Sequence, residues 1–302
     1  MQRAGCIAPP GAGRARPAVT CRTEKARRRS NPWRWLSREE TLLQSAIPSH
    51  VASSHPSSAT DRRSLRTPMT ASVRRAVRLE HRLTQPNASL ADLDGAVALA
   101  TEHDLAAITV SPWLVKAAKR TLGRSRVRLG TVVGYPHGGQ LLSVKAFEAS
   151  KALEQGANQI DFVMNGGALR SGEEEVVLND MLAVVDMAHS ALAVAGVIVE
   201  SDTLPEELVR RACRLAERAG ADYVVTGTGS APTRATVGRT RILRDSVGPR
   251  IQVKASGRFR TLDQVQQAAA AGATRVSAHL NGSLVRQVAE SNDEAQPAGA
   301  AR

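Results

Sequence analysis

The chain has 302 residues, 42% hydrophobic, 23% charged and only 3% aromatic, which is room for one domain of about 220–250 residues plus an extension, or for two small domains. Three cysteines (Cys6, Cys21, Cys213) are too few and too scattered for a disulfide framework or a zinc site, and no apolar run approaches the roughly 18 residues of a membrane span. The formal charge of +13 is uneven: residues 1–68 hold 13 Lys and Arg against 4 Asp and Glu, and residues 69–302 hold 28 against 24, so a case for an acidic partner rests on the first segment alone.

Residues 1–68 contain "GAGRARPAV", "KARRRSNPWRW" and "SHVASSHPSSATDRRS", with no sustained helical or strand period. They are expected to be a disordered basic extension. An Arg- and Ser-rich, acid-poor leader fits a transit peptide. Arginines around Trp33 and Trp35 fit nucleic-acid contact. The favoured reading is plainer, a tail without function or an over-extended start ahead of Met69.

From residue 77 short apolar runs alternate with amphipathic stretches. The strand candidates are 77–83, 106–110, 128–135, 159–165, 196–201, 222–227, 251–256 and 275–280. Among the helices between them, "SLADLDGAVALATEHD" opens on Ser89 as N-cap with acids in its first turn. "SVKAFEASKALEQGAN" ends at Gly156, "LPEELVRRACRLAERAGA" runs from Pro205 to Gly220 with Cys213 as a small buried residue, and "TLDQVQQAAAAGA" starts on Thr261. Apolar strands alternating with helices imply parallel strands covered by helices. Eight such units fit a single (β/α)8 TIM barrel over residues 69–293, with 294–302 as a disordered tail; a doubly wound open sheet is the rival.

In such a barrel the function lies at the C-terminal ends of the strands. That rule selects Asp161, Asn165, Glu200, Thr226–Gly229, Lys254–Gly257 and His279–Ser283. Asp161 and Lys254 stand out, because a charge within an apolar strand is costly unless it is paired or used; they are read either as catalytic groups or as a structural ion pair with each other. "GTGSAP" has Pro232 where a dinucleotide fingerprint needs its third glycine. The turns at Gly229, Gly257 and Gly282 suit backbone N–H groups aimed at an anion, and Gly282-Ser283 at a helix start is the candidate phosphate site; ordinary turn chemistry is the alternative. His137 and His279 read as acid/base groups or as satisfied loop histidines. No His/carboxylate cluster has metal-ligand spacing, and no nucleophile elbow is present.

The strand ends "TVVGYPHG", "VKAFEA", "GANQIDFVMNGGALRSG", "GVIVES", "AGADYVVTGTG", "VGPRIQVKASG" and "AGATRV" occur in this order, and over roughly residues 76–290 the chain resembles deoxyribose-phosphate aldolase. The resemblance implies a TIM barrel and a class I aldolase without metal or cofactor. That family cleaves 2-deoxyribose 5-phosphate to acetaldehyde and glyceraldehyde 3-phosphate through a lysine Schiff base, with a second lysine and an aspartate managing charge and protons. The aspartate falls on Asp161 and the second lysine on Lys254. The Schiff-base lysine of "FVKTSTG" falls on Val225 in "YVVTGTG". Other departures point the same way. "DHTLLKP" reads "EHRLTQP", so Glu80 replaces an aspartate and Arg82 a small hydroxyl residue; the second glycine of "SGG" is Arg258; the "GTSSG"-like phosphate end reads "SAHLNG".

A Schiff base needs a neutral amine, and two lysines about 4 Å apart repel by roughly 4 kcal/mol at an effective dielectric near 20, which helps to deprotonate one of them. Val225 removes both the nucleophile and that push, so the standard activity is expected to be lost or altered. One rescue is Lys254 itself as the Schiff-base residue, with Arg258 supplying the neighbouring charge. Arg258 also suits bidentate binding of a carboxylate or phosphate. With Thr226, Gly229, Gly257, Gly282 and Ser283, it completes the expected binding set. The competing functions are a non-catalytic barrel binding a metabolite or partner protein, and a different carbonyl reaction using Lys254 and Asp161. The expected ligand is a small phosphorylated or carbonyl compound; neither membrane nor nucleic acid is an expected partner, a homo-oligomer stays open, and the expected location is cytoplasmic.

Overall fold

A computed structural model describes residues 77–229 and 237–293. The expected extension over 1–68 and tail over 294–302 lie outside the described residues. Eight strands run β1 Arg78–Leu83, β2 Ala107–Val110, β3 Arg128–Val133, β4 Gln159–Val163, β5 Val194–Ile198, β6 Tyr223–Val225, β7 Gln252–Ser256 and β8 Arg275–Ala278. All pair in parallel with their sequence neighbours, and β1 pairs with β8 through Glu80 opposite Ser277, so the sheet closes. The open-sheet rival is thereby excluded. Helices α1 Leu90–Glu102, α2 Val115–Leu122, α3 Leu142–Glu154, α4 Gly166–Arg170, α5 Glu174–Ser190, α6 Glu206–Arg218, α7 Val237–Ser246, α8 Leu262–Ala270 and α9 Gly282–Asp293 alternate with them. Among the described residues no helix is long and apolar enough to cross a membrane.

The helix starts follow local chemistry. Ser89 Oγ accepts from the Asp92 N–H (3.2 Å) while Asp92 Oδ2 accepts from the Ser89 N–H (2.8 Å), a reciprocal capping box on α1. Replacing Ser89 with Ala is expected to lower stability by about 1 kcal/mol in urea unfolding, since one first-turn donor loses its partner. Thr261 caps α8 one way only: its Oγ1 accepts from the Gln264 N–H (3.4 Å), while Gln264 Oε1 takes the Arg260 N–H (2.9 Å). Gly156 ends α3 at φ +105°, where a Cβ would also meet Lys119 Cγ at 2.8 Å, so both conformation and space require glycine. Cys213 is buried in α6.

Several strands stop short of their apolar runs. β3 ends at Val133 because Gly134 turns to φ +62° and gives its N–H to Glu148 Oε2. β6 ends at Val225; Thr226 still gives its N–H to the Lys254 carbonyl (3.1 Å) and takes the Ser201 N–H (2.8 Å), but the neighbouring segment leaves strand conformation at Glu200 (φ +51°). β8 ends at Ala278, and the Leu280 N–H goes to His81 Nδ1 instead of a strand.

Candidate active site

Strand alternation sends polar side chains into the barrel centre from β1, β4, β6, β7 and β8. Lys254 Nζ donates to Asp161 Oδ2 (2.6 Å) and Glu80 Oε2 (2.8 Å). Arg275 Nε donates to Glu80 Oε1 (2.5 Å) and its Nη2 to Gln159 Oε1 (2.7 Å), while Gln159 Nε2 donates to Glu80 Oε2 (3.0 Å). The Tyr223 hydroxyl donates to Asp161 Oδ1. The Tyr223 ring carries Lys254 Nζ at 4.6 Å and the Arg275 guanidinium carbon at 4.4 Å from its centroid. Two carboxylates and two cations balance, and all four are buried. Burial works against charge on Glu80, but Lys254 and Arg275 outweigh it and hold the carboxyl below its usual range. Burial, reinforced by Asp161, pushes the Tyr223 phenol well above its usual range.

Asp161 and Lys254 therefore meet as the ion pair that the sequence left open. Attack on a carbonyl needs the lone pair of Nζ. Freeing it here would leave two buried carboxylates with one cation fewer between them. Arg258 sits exposed beyond β7, whereas Lys254 is wholly buried. Arg258's charge acts on the Arg82 guanidinium.

Val225 is 2% exposed and packs with Val163, Ile198 and Tyr223, with Tyr135 and Val194 against them. Its register partner on β7 is Lys254. The position that the resemblance gives to an amine is thus part of an apolar wall beside the charged cluster. The other buried lysine, Lys145 on α3, donates to Asp180 Oδ2 on α5 (2.6 Å) and to the Val163 carbonyl (2.9 Å), which ties it to the helical layer.

Above the ionic cluster, Arg82 crosses the mouth. Its Nη1 donates to the Thr228 carbonyl (2.8 Å) and to Ser256 Oγ (2.6 Å). Burial pushes this guanidinium below its usual range, against the opposing pull of Tyr135, Asp161 and Glu200. Nearby, the Tyr135 hydroxyl donates to the Thr228 carbonyl (3.0 Å) and the Thr228 N–H donates to Glu200. A cavity of about 430 Å³ opens beside Arg82, and a second of about 300 Å³ lies against Glu200 and His137. Lys254, Asp161 and Val225 line neither.

Of the expected binding residues, Gly229 lines the larger cavity. Thr226 is 1% exposed and clasps β7, accepting from the Ser256 N–H (3.0 Å). The Gly257 N–H goes to the Ser277 carbonyl (3.1 Å). A Cβ on Gly282 would lie 3.3 Å from Arg286 Nη1, 3.7 Å from Leu99 of α1 and 3.9 Å from His103 just after it, and Ser283 Oγ accepts from Gln287. Asn281 Oδ1 takes the Leu284 N–H (2.9 Å), and His81 takes that of Leu280. Thr226, Gly257, Gly282 and Ser283 line neither of these two cavities, and at that end Asn281, Ser277 and His81 accept from Leu284, Gly257 and Leu280. His81 is held neutral by burial, with His279 and Arg82 adding to it, at a pKa of about 4; His279 stacks on it at 5.0 Å.

The family model described as DeoC/LacD family aldolase matches residues 58–257, about two thirds of the chain. The chain belongs to this aldolase family. It is 40% identical over 200 residues to a deoxyribose-phosphate aldolase of Streptococcus gordonii, covering 66% of this chain and 90% of that one. To the enzyme of the same name from Geobacillus it is 39% identical over 215 residues, covering 71% and 96%. Among solved structures, the tetrameric deoxyribose phosphate aldolase of Aeropyrum pernix superposes with a TM-score of 0.65 at 28% identity, covering 72% of this chain and 90% of that chain. The aldolase QR15 does so at 0.66 and 30% identity, covering 74% and 99%.

Within this aldolase barrel, Glu80, Gln159, Tyr223, Arg275 and Arg82 belong to the cluster or its mouth although none is among the site residues selected from the sequence. Tyr223 was visible only as an aromatic where the resembled motif has Phe. Arg275 was a charge in an apolar run, the same signal that had picked out Lys254. Arg82 was noted as a departure, and its reach across to β6 and β7 depends on barrel closure.

Proposed function

We propose that this aldolase-family barrel has lost Schiff-base cleavage of 2-deoxyribose 5-phosphate and binds a small anionic or carbonyl metabolite at its mouth without capturing it covalently. One observation carries the reading: Val225 fills the nucleophile position with an apolar side chain, while the neighbouring Lys254 lies between Glu80 and Asp161. A different carbonyl reaction using Lys254 and Asp161 has less support, because neither lines the cavity beside Arg82 or the one against Glu200 and His137. The proposed setting is cytoplasmic. Homo-oligomers are proposed in line with the tetrameric Aeropyrum relative, and the exposed Leu141, Val144 and Phe147 of the α3 segment offer an apolar surface for that contact.

The test is acetaldehyde release from 2-deoxyribose 5-phosphate, paired with borohydride trapping of acetaldehyde and mass mapping, on the native chain and on Val225→Lys. The native chain is expected to release acetaldehyde slower than its active relatives by a factor on the order of 10⁶, the scale for loss of a covalent nucleophile, and to give no adduct. Val225→Lys sets a second ammonium beside Lys254, a repulsion that favours a neutral amine, and is expected to trap acetaldehyde at position 225. Rapid release by the native chain, or an adduct on Lys254, would overturn the proposal.

A further inference from the structure

Among the described residues, Glu80, Arg82, Asp161, Lys254 and Arg275 carry charge inside the barrel, and of these five Arg82 alone lines either of the two cavities described above. Its Nη1 is engaged by Thr228 and Ser256. Nε and Nη2 make no hydrogen bond among the described residues. These two groups share one edge of a rigid planar fork, the geometry that takes both oxygens of a carboxylate. Gly229 lies against this guanidinium, and a Cβ there would stand 2.5 Å from Nη2 and 2.6 Å from Nη1, so a side chain at that position would collide with the fork.

Two further observations select the ligand. Pro86, Pro112, Val132 and Pro136 give the cavity an apolar lining suited to a small organic body. Glu148 also lines it, and Asp161 and Glu200 act on Arg82 from nearby. Against those three carboxylates Arg82 and Arg258 are the facing cations, a net negative surrounding that opposes a doubly charged ligand about twice as strongly as a singly charged one. A phosphate monoester carries about −1.5 to −2 at neutral pH, a carboxylate only one charge.

We propose that this cavity binds a small monocarboxylic acid, its carboxylate on Nε and Nη2 of Arg82 and its apolar body against Pro86, Pro112, Val132 and Pro136. The site deepens, and rests on, the reading of the mouth as a non-covalent binding site. It places an anion anchor on β1, and makes Arg82 a specificity-determining residue.

Titration calorimetry on the full chain at low salt, with benzoate, benzamide and phenyl phosphate as probes, tests it. Benzoate is expected to bind at least about tenfold more tightly than its uncharged isostere benzamide, and more tightly than phenyl phosphate, as one charge-assisted bidentate contact allows. Arg82→Met is expected to abolish the preference for benzoate over benzamide. Arg82→Lys keeps the charge without the fork, is expected to weaken benzoate several-fold, and decides the matter if Arg82→Met does not fold, as read by its thermal melt. No benzoate binding, equal affinity for benzamide, tighter phenyl phosphate, or unchanged affinity in Arg82→Lys would each overturn the carboxylate site. Aldol cleavage by the native chain would instead overturn the reading of position 225 and leave the benzoate result standing.

Discussion

Lys254→Met is expected to destabilise the barrel by about 3–5 kcal/mol in urea unfolding, the range for removing one partner from a buried ion pair. The loss comes less from the missing attraction than from what stays behind. Glu80 and Asp161 are both buried, and each loses an ammonium contact, at 2.8 and 2.6 Å. Arg275 remains to serve Glu80, but Asp161 keeps only the neutral Tyr223 hydroxyl. Glu80→Gln added to Lys254→Met restores a neutral interior, with one carboxylate and one guanidinium. The double variant is expected to be more stable than Lys254→Met alone, a non-additivity diagnostic of groups in one network. An exposed or catalytically free Lys254 would instead give a loss within about 0.5 kcal/mol and no coupling.

The same network sets the acid limb. The Glu80 carboxyl is held below its ordinary value in the fold, so the unfolded chain takes up that proton first as pH falls. The stability that Glu80 contributes is present above its unfolded pKa, about 4.3, and is lost as pH falls from there through its depressed folded value. In Lys254→Met the folded value rises toward the unfolded one. This contribution is therefore expected to be smaller at neutral pH and its loss, which still begins near pH 4.3, to be complete at a higher pH than in the native chain, measured as urea midpoints across an acid series.

What could be read in advance divides along physical lines. The strands were legible because a parallel strand buried on both faces is a continuous apolar run, and the caps at Ser89 and Thr261 because their hydrogen bonds close within four residues. Val225 was legible because a covalent mechanism depends on one side chain at one motif position. The partners of Glu80 were not, since the residues it meets on β4, β7 and β8 lie 79 to 195 positions away and its extra methylene matters only once the barrel closes. Arg258 looked close to Lys254 by sequence, but the strand ends at Ser256 and the turn carries Arg258 into solvent. Gly282 and Ser283 read as an anion cradle from turn chemistry, and Asn281, one residue earlier, caps the helix itself.

Gly196→Ala is expected to cost about 3 kcal/mol or more, the upper end for forcing an atom into a packed core. On intrinsic preference the sign should be the reverse, because glycine within a strand is worse than alanine by roughly 0.5–1 kcal/mol. The obstacle is Tyr223, whose Cε2 stands 1.9 Å from where the new Cβ would be. Gly196 and Tyr223 are register partners on β5 and β6, and the bare glycine is what lets the phenol ring lie over its neighbour strand. The ring cannot shift cheaply: its hydroxyl is bound to Asp161, and Lys254 and Arg275 lie over it. Tyr223→Leu removes both the clash and the hydroxyl. It is expected to destabilise on its own, yet to make the added Gly196→Ala nearly neutral, a coupling of about 2–3 kcal/mol in a double-mutant cycle. Additive effects would place the ring away from Gly196, and with it the tyrosine that joins the apolar wall at Val225 to the ionic centre.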